Sequence, residues 1–232
     1  MQDRRISCTA SQLSTLLTLF ALIDCNSFFC AVEKVFNPGL HGKPVCMLSN
    51  NDGCIIALTP EAKALGLKRG DPLFKVIEIV EAGGVCIFSN NMQRYANMSR
   101  RVMRIIKKEL VDVEVYSIDE CFCDLRAFEK YHSLEQLLRT TIEKVLRYTD
   151  ISTSVGIAPT KTLAKMASMF VQDYCDYRSV CAIDTEEKRQ KALALFPLKD
   201  VWGIGRQTLE KLHFYGIFST LDFANQSETW VR

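Results

Sequence analysis

The sequence predicts an α+β fold with a mixed or antiparallel sheet and flanking helices, and three observations carry that reading. Short apolar segments with strand character are interspersed with amphipathic helical patterns in mixed order. Two of them, VEVYSI and CFCDL, are separated by little more than Asp119 and Glu120, which calls for an antiparallel hairpin rather than a doubly wound parallel sheet. The stretch from about residue 185 reads as a second, small helical unit.

Taken in order, residues 1–18 form a leader expected to be disordered. LFALID then reads as a buried strand, and SFFCAVEKVF as a helix ended by Asn37, Pro38 and Gly39. KPVCML and GCIIAL are strands on either side of an SNND turn. TPEAKALGL opens a helix: Thr59 can cap it, Pro60 suits its first position and Glu61 its first turn. A helix near Leu73 to Glu81 leads through Gly83 and Gly84 to the strand VCIFS. From Gln93 to Leu110, Met98, Val102, Ile105 and Ile106 form one apolar side against arginines and lysines on the other. After the hairpin come a helix from Leu134 to Tyr148, the strand ISTSVGIA, the helix TKTLAKMASMF, the strand SVCAI and the helix TEEKRQKALALF. The tail, PLKDVWGIGRQTLEKLHFYGIFSTLDFA, holds two short helical patterns around a Gly-Ile-Gly turn.

The net charge is only +2, so any nucleic-acid partner must meet clustered rather than excess basic residues. The ten cysteines show no CxxC pair, and with three histidines they form no zinc pattern. Most lie in apolar runs, where free cysteine acts as a small buried hydrophobe. A reducing cytoplasm without disulfides follows. The apolar run from Leu16 to Ile23 is interrupted by Thr18 and ends at Asp24. It lacks a cleavage site and is too short to span a bilayer, so no membrane partner is expected.

The chemistry-bearing candidates are Asp24, at the end of the first strand, and the doublet Asp119–Glu120 at the hairpin. Neighbours on a straight strand face opposite ways, so a bend is needed to aim both carboxylates at one cation. Three carboxylates suit a hard cation such as Mg2+ rather than zinc. The plainer reading is that Asp24 caps the following helix and the doublet caps an exposed hairpin. Spacing alone leaves both open.

The segments DCNSFFCAVE, SNNDGCIIA, EAKALGLKRGDP, YSIDECFCDL and GIAPTKTLAKMA together resemble the Y-family translesion DNA polymerases, and within them the UmuC-type members, over about Leu19 to Ala224. The resemblance implies a palm (residues 19–41 and 84–184), small fingers (42–83) and a partial helical thumb with a helix-hairpin-helix (185–232). It implies template-directed DNA synthesis in a bacterial cytoplasm, with dNTP and primer-template DNA as substrates and two Mg2+ ions held by Asp24, the Cys25 carbonyl, Asp119 and Glu120. Phe29, with Phe28 beside it, falls at the steric gate against the ribose 2′-hydroxyl, where tyrosine is commoner. Lys63 and Lys165 fall at triphosphate contacts. Lys63 stands where the family has arginine, and Pro60 where it has tyrosine. Lys161, one turn before Lys165, reads as a solvated helix lysine. Ser117 falls near the primer terminus or the metals. Gly203, Gly205 and Arg206 fall at the hairpin that holds a DNA phosphate.

Family members continue past the thumb into a little-finger domain, and the match stops before one. The expectation is a fragment, inactive or weakly active, with poor DNA affinity. The alternative is a non-catalytic remnant that binds DNA or partner proteins. A palm-fold nucleotide cyclase is disfavoured by the finger and thumb motifs. A UmuD-like subunit, RecA and a sliding clamp are partners implied for a full-length form.

Overall fold

A computed structural model describes residues 19–49, 53–128, 133–173 and 179–231. The expected leader, residues 1–18, lies outside the described residues, as does most of the SNND turn. The described elements form a five-stranded sheet, a separate three-stranded sheet and the helices around them.

The large sheet is built on β1 (Phe20–Cys25), which is flanked on both sides by antiparallel partners. On one side lies β6 (Glu120–Asp124), the second arm of the hairpin whose first arm is β5 (Val113–Val115). On the other side lies β7 (Thr153–Ala158), followed in parallel by β8 (Val180–Ala182), so the order is β5-β6-β1-β7-β8. The sheet is mixed, as the sequence predicts, and the hairpin is present.

Strand alternation divides this sheet between two cores. Ala21, Ile23, Cys121, Cys123, Val155 and Ile157 face one side. There they meet α1 (Phe28–Phe36), α4 (Met92–Glu109) and α5 (Leu134–Thr149). Leu22 and Phe122 face the other side, against α6 (Lys161–Asp173), α7 (Glu186–Leu195) and α8 (Arg206–Phe214). Helices therefore cover both faces, and the C-terminal helices share a core with the sheet instead of standing apart. The short α9 (Thr220–Ala224) closes this side with a capping box between Ser219 and Asp222.

The small sheet contains β2 (Val45–Leu48), β3 (Ile55–Leu58) and β4 (Cys86–Ser89), in the order β3-β2-β4. α2 (Pro60–Ala64) and α3 (Leu73–Ala82) complete this unit, and the Thr59 hydroxyl caps α2 by accepting from the Ala62 N–H. The small sheet's own core joins Cys46, Leu48, Ile55, Leu58, Ala62, Leu67 and Val80. A division at residues 83/84 separates β4 from its sheet, yet β4 pairs in parallel along the whole of β2, from Val45↔Cys86 to Leu48↔Ser89. The small unit therefore runs to Ser89.

One polar group is built into the large core. Glu33 lies on the inner side of α1 and is 4% exposed. Arg94 donates to one of its oxygens at 2.7 Å, and the Tyr95 hydroxyl to the other at 2.9 Å. A buried carboxylate is tolerable only with such partners. Tyr95→Phe is expected to leave one oxygen dry and cost about 1–3 kcal/mol, measured by urea denaturation. An unchanged midpoint would show that this hydroxyl contributes nothing.

Candidate active site

Asp24 and Glu120 are direct cross-strand partners in the β1–β6 register. Leu22 and Phe122, two residues along each strand, face α6, so alternation turns both carboxylates to that side as well. Asp119 precedes β6 in the bend of the hairpin, and its carbonyl accepts from the Cys25 N–H at 3.0 Å. That bend lets a neighbouring pair of acids serve one place, and it brings the three carboxylates to a single cleft. Asp24 is no helix cap: it ends a strand, and the residue before α1 is Ser27, whose backbone is left-handed with φ 47°. The capping reading is set aside on that geometry.

The cleft has a volume of about 310 Å3 and opens between the two sheets. Asp24, Ser117, Asp119 and Glu120 line one wall; Lys63 and Arg69 reach it from the small-sheet unit. The chain thus sets an acidic wall against a basic one. Phe28 and Phe29 also line the cleft and have different fates. Phe28 is only 2% exposed and belongs to the large core. Phe29 is half-buried, with its ring 4.9 Å from that of Tyr95.

α6 supplies the partners of the acids. Lys165 Nζ lies 3.0 and 2.9 Å from the two oxygens of Glu120. Gln172 donates to Asp24 at 3.3 Å, and the Ser117 hydroxyl to Asp119 at 2.6 Å. Lys161 is not simply solvated: it pairs with Glu114 and its ammonium lies 5.1 Å from the Phe122 ring centre. α6 can come this close because Gly156 of β7 lies beneath it. A Cβ there would meet the Ala164 carbonyl oxygen at 1.9 Å.

Electrostatics follow from the crowding. Burial, then the charges of Glu120 and Asp119, push the Asp24 carboxyl up to about 8, against the pull of Lys165. Burial also drives the Cys25 thiol upward, and Cys121 to about 12, so both stay protonated and unreactive. Among the described residues, no three His, Cys, Asp or Glu side chains are disposed as a metal cage. Glu120 is turned to Lys165 and Asp24 to Gln172. The donor chemistry nevertheless fits a hard cation: the converging groups are carboxylate oxygens, and the charges of Glu120 and Asp119 add to the burial that raises Asp24, which Lys165 only partly offsets.

The sequence-predicted hairpin residues Gly203, Gly205 and Arg206 do not line the cleft. They form the turn into α8, with Gly203 at φ 93° and Arg206 paired to Glu210 at 3.0 Å. Arg69 and Gln172 were not singled out by the sequence reading. Arg69 lies within the quoted segment EAKALGLKRGDP, and Gln172 two turns beyond Lys165 on the same helix face; these are the only signals either carried. None of the eight cysteines among the described residues is in a disulfide. No described helix is long and apolar enough to cross a membrane.

Comparison with known proteins shows the family. Residues 23–169 match the model of the impB/mucB/samB family. Protein UmuC of Salmonella typhimurium strain LT2 is 44% identical over 214 residues, covering 92% of this chain and 50% of that protein. Protein MucB of Escherichia coli is 39% identical over 92% of the chain, and DNA polymerase IV 1 of Bacillus subtilis strain 168 is 32% identical over 89%. Among solved structures, an insertion ternary complex of Dbh DNA polymerase superposes with TM-score 0.78 at 25% identity, covering 92% of this chain and 62% of that one. DinB from Sulfolobus solfataricus gives 0.74 at 25% identity, with the same coverage. The chain spans about half the length of the curated relatives it matches. It belongs to the impB/mucB/samB family, within the Y-family DNA polymerases.

Proposed function

We propose that this chain carries the nucleotidyl-transfer centre of a translesion DNA polymerase, adding a dNTP to a primer 3′-hydroxyl on a DNA template. The observation that carries the reading is the cleft with an acidic wall facing a basic one. A cation–triphosphate complex has the same polarity. Asp24, Asp119, Glu120 and the Cys25 carbonyl would hold Mg2+. Two such ions, when bound, supply Lewis-acid activation of the attacking oxygen and stabilise the leaving one.

The remaining roles belong to the chain itself. Lys63, Arg69 and Lys165 present positive charge to a triphosphate and to the pyrophosphate it leaves. Lys63 and Lys165 do so as point charges, whereas Arg69 brings a fork that can grip two oxygens. Phe29, backed by the Tyr95 ring, sets a firm wall where a ribose 2′-hydroxyl would press. Ser117 orients the Asp119 carboxylate by its hydrogen bond. Glu120 must swing away from Lys165 to become a ligand, which frees the ammonium for phosphate. In domain terms, the large sheet with α1, α4, α5 and α6 corresponds to the palm. The small-sheet unit, extended to Ser89, corresponds to the fingers, and the helices after residue 185 to the thumb. The Gly203–Arg206 turn would hold a DNA phosphate through backbone N–H groups.

Primer extension with Mg2+ tests the reading. The parent chain is expected to extend a primed template, and Asp119→Ala or Glu120→Ala to reduce extension at least about a hundredfold, the scale lost with a charge-stabilising group. No extension by the parent, with DNA binding retained, would favour the non-catalytic alternative.

A further inference from the structure

Trp202 does not line the cleft, yet it meets Lys165, which bonds the cleft carboxylate Glu120. It follows Val201, which is anchored in the second core, and precedes Gly203, whose positive φ turns the chain toward α8. Its indole stacks on Phe122 of β6, with ring centres 6.0 Å apart and planes at 26°. Tyr116, from the hairpin bend, meets it edge-on at 5.3 Å. Lys165 sits between these rings, with its ammonium 5.4 Å from the Tyr116 centre and 5.6 Å from the Trp202 centre. Both distances are within cation–π range. The lysine is therefore held by one carboxylate and two aromatic faces, one of them contributed by the C-terminal unit.

We propose that Trp202 is a positioning residue for Lys165, linking the turn that leads into α8 to the ammonium that serves the triphosphate. The inference rests on the polymerase reading above. Two opposed effects follow from the geometry. In the cation-free site the rings help to keep Lys165 on Glu120, where it competes with a divalent cation for that carboxylate. Once Glu120 is drawn to a cation, the same rings keep the ammonium at the cleft rim, aimed at phosphate. Removing the indole should thus favour bare cation binding and weaken nucleotide binding. A general loss of structure would weaken both.

The test uses the full chain and two equilibrium measurements that need no turnover. Binding of Mn2+ is followed by the electron paramagnetic resonance of the free ion, and binding of labelled dATP in Mg2+ by equilibrium dialysis. Trp202→Leu is expected to bind Mn2+ about two- to fivefold more tightly and dATP about two- to fivefold more weakly, the range one exposed cation–π contact provides. Trp202→Phe, which keeps an aromatic face, should fall near the parent. In a Lys165→Met background, Trp202→Leu should change neither affinity further, because the residue it acts through is gone. The proposal is overturned if Trp202→Leu weakens both ligands together, or if its effects persist unchanged in the Lys165→Met background. If the parent shows no Mn2+ binding that Asp119→Ala abolishes, the metal-site reading fails and the inference with it. Mn2+ binding with no opposed shift in Trp202→Leu removes the inference alone.

Discussion

Asp24→Asn is expected to raise the melting temperature of the cation-free protein at pH 8 while removing primer extension. The two effects share one cause. An unfolded Asp24 releases its proton near 3.8, and in the folded chain burial and the neighbouring Glu120 and Asp119 hold that proton up to about 8. Between those values the folded state binds a proton that the unfolded state lacks. Stability from this group is therefore full below the unfolded value and is lost as pH rises toward 8. Each pH unit across the window removes at most about 1.4 kcal/mol. Asparagine cannot ionise, so the variant should hold its midpoint where the parent declines. The gap at pH 8 should reach a few kcal/mol, and each kcal/mol corresponds to about 2–4 °C in a chain of this size. Calorimetry in EDTA from pH 5 to pH 8 measures it; parallel pH profiles for parent and variant would refute the assignment. Extension should fall at least about a thousandfold, since the amide withdraws a charge from the place where reaction charge develops.

Gly156→Ala is expected to be the most damaging single-methyl change in the large sheet. The added Cβ would lie 1.9 Å from the Ala164 carbonyl oxygen and 2.4 Å from the Ser168 amide nitrogen, both backbone atoms of α6. Backbone cannot rotate aside as a side chain can, so the helix must move off the sheet. The cost should be about 3 kcal/mol or more, the upper end of overpacking penalties. α6 also carries Lys165 and Gln172, so the folded fraction should lose its contacts to Glu120 and Asp24. Urea denaturation gives the first effect and dATP binding the second. Gly205→Ala is the internal control for stability: its Cβ meets nothing within 4 Å, and its φ of −86° suits any residue. A Gly156→Ala protein as stable as the Gly205→Ala protein would contradict the packing.

Much of this architecture is legible in the residues themselves. Short apolar runs announce the strands, and the Asp119–Glu120 hairpin is visible because two such runs leave no room for a crossover. The meeting of Asp24 with that hairpin follows once both are placed on neighbouring strands. β4 is a different matter. Its sheet membership depends on a parallel pairing with β2 across some forty residues, and periodicity carries no signal of partner choice. Glu33 looks like an ordinary charge on an amphipathic helix, and only the arrival of Arg94 and Tyr95 from α4 makes it a core residue. How far each of the adjacent phenylalanines is buried depends on the fold, which leaves Phe28 2% exposed and Phe29 half-buried. Arg69 and Trp202 escape for the same reason: their relevance comes from contacts between distant segments.

β1 has a hydrogen-bonded neighbour on each side along its length, so the acid near its end sits on a strand held from both sides. Lys63 and Arg69 belong to the small-sheet unit, which among the described residues shares no ladder with the first sheet. The two halves of the cleft therefore work as a vise with one fixed jaw. Any change of aperture on loading or release is expected to fall to the cationic jaw, while the strand backbone that carries Asp24 and Glu120 stays in place.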